Sequence, residues 1–132
     1  MSILIGCDPE IFTKDKNGNT VSAYGLIPGD KKNPFKVKRG AVQIDGMALE
    51  FNIDPAATDD EFVINIQEVM NQLKLMVPQH DFQITPVAHF THDYMKQQPK
   101  EALELGCDPD FNAWRDGEAF VKPDADQPMR TA

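Results

Sequence analysis

Two strand-like runs and a capped helix stand in immediate succession between Ala41 and Met76, and together they restrict this chain more than any other stretch. Ala41-Val42-Gln43-Ile44 and Ala48 to Ile53 flank an Asp45-Gly46 turn. In the second run Leu49, Phe51 and Ile53 fall on one side, while Ala48, Glu50 and Asn52 fall on the other. Side chains alternate across a strand, so one face of this run is dry and the other carries a Glu-x-Asn pattern. The helix starts after Asp54-Pro55-Ala56-Ala57. Thr58 and Glu61 form a capping box, and Asp59 and Asp60 suit the positive end of the helix dipole. Phe62, Ile66, Val69, Leu73 and Met76 recur at three- and four-residue steps, Val63 and Met70 widen the stripe, and Pro78 ends it. A dry strand face beside an apolar helix stripe predicts an α+β domain in which the helix covers the sheet. The methionines of the stripe are core filler.

The flanking segments extend this plan. Ile3-Leu4-Ile5 reads as a short buried strand, and Glu10 to Thr13 continues as extended chain. Asp15-Lys16-Asn17-Gly18-Asn19 is a turn, which brings Thr20 to Tyr24 back as a hairpin partner. Gly25 to Gly40 is loop-like and holds Lys31, Lys32, Lys36, Lys38 and Arg39, five of the thirteen basic residues. Such an island can act as an electrostatic lid over phosphates, or be a solvated loop that aids solubility. Asp81 to Thr85 alternates like a strand, and Pro86 assigns it an edge or a bulge. Asp93 to Leu105 is a short helical stretch that Pro99 breaks or restarts. The three histidines, His80, His89 and His92, lack ligand spacing on a convincing helix and read as non-ligands. Residues 1–114 form one domain, and residues 115–132 form a polar, extended tail.

One motif appears twice. Gly6-Cys7-Asp8-Pro9-Glu10-Ile11-Phe12 returns as Gly106-Cys107-Asp108-Pro109-Asp110-Phe111. Each copy sets two carboxylates two residues apart, on one side of an extended chain, beside a glycine. Paired hard oxygens suit a divalent cation such as Mg²⁺ or a cationic substrate. The alternative is a repeated turn, since Asp-Pro initiates turns. Cys7 and Cys107, the only cysteines, occupy equivalent places. They read as two reduced thiols, or as a bridge if the two motifs lie side by side. Without a Cys-x-x-Cys there is little support for a thiolate zinc site.

Net charge excludes some partners. A formal charge of −8 argues against general binding to nucleic acid or anionic membranes. No apolar run approaches the ~18 residues of a membrane span, and the first residues lack the basic region of a signal peptide. A cytoplasmic protein is the expectation.

The order of these parts resembles the carboxylate-amine ligases of the glutamine-synthetase-like superfamily, which include glutamate-cysteine ligases. The similarity is greatest to the phage and bacterial amidoligases called COOH-NH₂ ligase type 2. It rests on Gly6 to Phe12, on Gly25 to Asp54 with Asp45-Gly46-Met47-Ala48-Leu49-Glu50-Phe51-Asn52 at its heart, and on Gly106 to Trp114. The resemblance implies an antiparallel sheet with helices packed on one face and an open face that binds ATP, Mg²⁺ and substrates. It implies an enzyme that phosphorylates a carboxylate and lets an amine displace the phosphate. Phosphoryl transfer of this kind needs metal, hence carboxylates on rigid strands. On this reading Glu10 and Glu50 bind metal and act in catalysis, and Asp8 and Asn52 support them on the same faces. Asp108 or Asp110 orients the amine. Apart from the resemblance, the basic loop from Lys31 to Arg39, with Lys36 and Arg39 foremost, is read as meeting phosphate or substrate carboxylate. For a phage-encoded protein the place of action would be the host cytoplasm.

Relatives continue, after an Arg-Thr-Ala-like stretch, into a glycine-rich segment with two histidines and further strands. This sequence reaches Met129-Arg130-Thr131-Ala132. The expectation is therefore a ligase fold incomplete at its C-terminus: a fragment, a truncated product, or one part of an assembled whole. A second function follows from it, a catalytically inactive relative that binds a host protein or a copy of itself. A third is an assembly protein that pairs through an unfinished sheet edge.

Overall fold

The computed structural model describes residues 2–104. Their order is β1 (Glu10–Lys14), β2 (Thr20–Val21), β3 (Phe35–Val37), β4 (Gly40–Asp45), β5 (Ala48–Ile53), α1 (Asp59–Met76), β6 (Asp81–Gln83), α2 (His92–Lys96) and α3 (Lys100–Leu103). This is an α+β arrangement, and every strand pair in it is antiparallel. The sheet runs β2-β1-β5-β4-β3, with β6 added to β1.

The β4–β5 hairpin is the frame. Asp45 pairs with Ala48 across a two-residue connection, and Gly46 supplies the positive φ, 57°, at its first position. That register sets Val42 opposite Phe51 and Ile44 opposite Leu49 on one face, and Gln43 opposite Glu50 and Ala41 opposite Asn52 on the other. The first face is the core. Val42, Leu49, Phe51 and Ile53 are buried against Val69, Leu73 and Val77. Ile11 of β1 joins the same cluster.

Helix α1 forms where the capping signal predicts. The Glu61 amide donates to Thr58 Oγ1 at 3.2 Å, and the Ala57 amide donates to Glu61 Oε2 at 2.8 Å. Thr58→Ala removes one of these caps, and thermal unfolding is expected to report a loss of about 1 kcal/mol. The helix buries Asn65, Val69 and Leu73, while Val63 is exposed and does not widen the stripe. Asn65 takes an inner place because two partners, themselves bonded to each other, satisfy it. Arg39 Nη1 donates to its Oδ1 at 2.7 Å, its Nδ2 donates to the Asp54 carbonyl at 2.9 Å, and the Asp54 amide closes the ring on the Arg39 carbonyl at 2.8 Å. This ring ties α1 to the β3–β4 turn and to the end of β5.

Three expectations change. The segment from Gly25 to Gly40, expected as loop, holds β3, because the two-residue Lys38-Arg39 turn folds Phe35–Val37 onto β4. Ile3, Leu4 and Ile5 are 75%, 60% and 51% exposed, and Ile5 makes only an isolated bridge to Ala56. Their apolar character fits a buried strand, yet among the described residues no layer covers them. The expected placement of helices on one face holds for α1. Helix α2 reaches the other face instead: Phe90 stacks on Tyr94 at 5.8 Å and meets the edge of Phe12 at 6.3 Å, and Phe12 alternates with the buried Ile11 and Thr13. The Ser22 amide donates to the Tyr94 hydroxyl at 2.8 Å, which fixes α2 to the segment after β2. Pro99 restarts the chain as the N-cap of α3, as the sequence suggests. The second motif, with Cys107, Asp108 and Asp110, lies outside the described residues, as does the 115–132 tail.

Candidate functional site

The sheet face opposite α1 carries a row of polar side chains across three adjacent strands. Glu10 of β1 pairs with Glu50 of β5, and Glu50 pairs with Gln43 of β4. Cross-strand partners share a face, so these three side chains emerge together. Asp45 lies two residues beyond Gln43 on the same strand and on the same face. One carboxylate oxygen from each of Glu10, Asp45 and Glu50 lies within 4.8 Å of the other two.

Three carboxylates this close repel, and the surroundings compensate in part. Gln43 Nε2 donates to Glu50 Oε2 at 2.8 Å. Lys31 Nζ reaches Asp45 Oδ2 at 2.8 Å. Gly29 presents Lys31 from the loop, because its carbonyl accepts from the Ile44 amide at 3.1 Å. Gly29 has a φ of 95°, and a Cβ there would lie 2.6 Å from the Val42 carbonyl oxygen. Only 9% of Glu50 is exposed. Burial pushes its carboxyl pKa up, and the charges of Asp45 and Glu10 push the same way; the Gln43 hydrogen bond and the Lys31 charge pull it back. The charged form of Glu50 is thus disfavoured, first by burial and then by its acidic neighbours.

The donor set fits a hard divalent cation. Oxygens on opposite sides of Mg²⁺ stand about 4.2 Å apart, and on opposite sides of Ca²⁺ about 5 Å. Three carboxylate oxygens within 4.8 Å of one another are close enough to be drawn onto one such ion.

The residues singled out from sequence separate into three groups. Glu10 and Glu50 meet at adjacent positions. Asn52 continues the same face of β5, and Lys36 shares that row through Ala41. Lys36 is exposed and lies 3.6 Å from Asp54. Asp8 is exposed; the Pro9 and Cys7 carbonyls accept from Phe51 and Ile53, which sets Asp8 beside Asn52 and apart from the three-carboxylate group. Arg39 belongs to none of this face, for its guanidinium is engaged by Asn65 of α1. The basic island is locally paired: Lys38 meets Glu68 at 3.7 Å in addition to the contacts of Lys31, Lys36 and Arg39. No histidine joins the carboxylate group.

Asp45 and Gln43 are the residues that sequence reasoning passes over, and Lys31 enters it only as one charge of the basic island. The signal for the first two is the Asp45-Gly46-Met47-Ala48 connection. Reading it as a two-residue hairpin fixes the register and puts Gln43 and Asp45 on the face of Glu50. Lys31 has no comparable signal, since the sixteen-residue segment from Gly25 to Gly40 does not reveal which of its lysines turns inward.

The chain matches no family model, no curated protein and no solved structure. No helix among the described residues is long and apolar enough to cross a membrane.

Proposed function

We propose that this chain is an ATP- and Mg²⁺-dependent carboxylate-amine ligase, or the N-terminal part of one. The observation that carries the reading is the meeting of Glu10, Asp45 and Glu50 on the polar face of adjoining strands. The motifs that resemble the amidoligases supply the reaction class. The three carboxylates would hold the metal. Gln43 fixes the orientation of Glu50 through Oε2, and Lys31 offsets charge at Asp45. Asn52 and Lys36 extend the face toward a substrate carboxylate or phosphate. ATP and Mg²⁺, when bound, supply the transferable phosphoryl group and the neutralisation of its charge. Rigid strands suit such work because a displacement of about 1 Å can cost ~10²-fold in rate.

Binding of a non-hydrolysable ATP analogue tests the proposal, measured by calorimetry with Mg²⁺ for the wild type and for Glu10→Ala/Glu50→Ala. The expected result is binding by the wild type and a loss of at least about tenfold in the variant. Equal binding by both would remove the carboxylates from the site. No binding by the wild type would favour the second reading, an inactive relative that acts through protein contacts.

A further inference from the structure

The chain before β1 lies along β5 and uses only one of its two edges. Ile5 exchanges backbone hydrogen bonds with Ala56 at 2.9 and 2.8 Å, and the carbonyls of Cys7 and Pro9 accept from Ile53 and Phe51 at 3.2 Å. The odd-numbered residues therefore turn their backbone groups toward β5. Alternation turns those of Leu4, Gly6 and Asp8 the other way. Among the described residues no hydrogen bond reaches the backbone of these three. Further along β1 that outer side is filled by β6, which pairs with Phe12, Thr13 and Lys14 and ends at Gln83. Pro86, three residues on, cannot extend the ladder.

The edge so exposed is apolar on both faces, through Ile3, Leu4 and Ile5, and residues 2–7 carry no charge. Another free edge of the sheet, β3, is marked by Lys36, and Lys38 follows it, a common guard against pairing. An unguarded edge with open N–H and C=O groups accepts one kind of occupant, an extended strand. Charge decides whose. Asp8 and Glu10 follow the neutral segment, so a strand laid antiparallel about Leu4 keeps each acidic end off the neutral residues 2–6 of the other copy. The segment is complementary to itself in that register.

We propose that the Leu4–Gly6 edge is a self-association surface, which pairs antiparallel with the same segment of a second copy, Leu4 opposite Leu4. Two-fold symmetry makes the contact isologous and joins the two sheets into one.

The test is the mass in solution by sedimentation equilibrium over a concentration series, for the wild type, Leu4→Lys, Leu4→Glu and Gly6→Pro. A Cβ at Gly6 meets nothing within 4 Å and Leu4 is exposed, so circular dichroism is expected to show an unchanged fold. The wild type is expected to pass from 14.8 kDa toward twice that mass. Leu4→Lys and Leu4→Glu each set like charges in opposition, and Gly6→Pro removes a ladder donor. Each is expected to weaken association by at least about tenfold. An equimolar mixture of Leu4→Lys and Leu4→Glu is expected to restore the dimer, since the register sets the two charges face to face. A wild type that stays at 14.8 kDa at millimolar concentration would overturn the proposal. So would a dimer unaffected by the three substitutions, or a mixture that fails to associate.

Discussion

Glu50→Gln is expected to make this protein more stable at pH 7 and, on the proposed function, to weaken divalent-cation binding by at least about tenfold. Glutamine keeps the acceptor for Gln43 Nε2 and discards the charge that crowds Glu10 and Asp45. The pH dependence fixes the sign. Burial raises the Glu50 carboxyl above its unfolded value, so the folded state binds that proton more tightly. The wild type therefore draws its full contribution from this group below the unfolded pKa, about 4.3, and loses it as pH rises through the folded value. At pH 7 the ionised side chain is a net cost, and the variant is expected to gain about 1 kcal/mol, or roughly 3–5 °C in Tm. Below about pH 4 the difference is expected to vanish. Added Mg²⁺ or Ca²⁺ reverses the order, because a cation bound to the folded state alone stabilises the wild type and not the variant. Thermal melts at pH 3.5 and pH 7, with and without metal, check all three statements. A variant that is less stable at pH 7 would contradict this account of the site's electrostatics.

Gly40→Ala is expected to cost more than any surface change in this domain. Gly40 opens β4 opposite Ile53 and faces Val69 of α1. An added Cβ would run into the Asn52 carbonyl oxygen and lie 2.9 Å from Val69 Cγ2. Both neighbours are fixed, one as strand backbone and the other as a fully buried side chain. Accommodation requires α1 to lift or β4 to shift against β5, and overpacking of this kind costs about 3 kcal/mol or somewhat more. Urea denaturation is expected to show a lower midpoint with an unchanged slope. The Asn52 carbonyl belongs to the strand that holds Glu50, so the displacement is expected to weaken cation binding as well. A Gly40→Ala protein of wild-type stability would mean that the helix does not approach the sheet this closely.

The parts of the structure that were legible in the sequence are those set by short-range period. The alternation from Leu49 to Ile53 gives both faces of β5, and Thr58 with Glu61 gives the start of α1. The hairpin from β1 to β2 follows from Asp15 to Asn19, where Asp15 Oδ1 accepts from the amides of Asn17 and Asn19 at 2.9 Å. These bonds also hold the Asp15 carboxyl below the usual range, the Asn19 amide first among them. What stayed hidden depends on partners distant in the chain. Arg39 reads as one more charge of a basic loop, yet its φ of 67° in a two-residue turn sends it to Asn65. Asn65 stands outside the apolar stripe named from sequence, yet its bonds with Arg39 and the Asp54 carbonyl make it an inner residue. Ile3 to Ile5 reads as core because composition reports what a segment prefers and not what covers it. Within the site, pairing of Glu10 with Glu50 needs the β1–β5 register, which bridges forty residues and leaves no local trace.

Calorimetric titration of Mg²⁺ and Ca²⁺, without nucleotide, into the wild type, Asp45→Asn and Glu50→Gln tests the central claim most directly. One divalent ion per chain is expected to bind the wild type, with a loss of at least about tenfold in each variant, since each replaces one of three anionic ligands by a neutral amide. An unchanged isotherm in both variants, or no heat from the wild type with either ion, would contradict a cation site built by Glu10, Asp45 and Glu50.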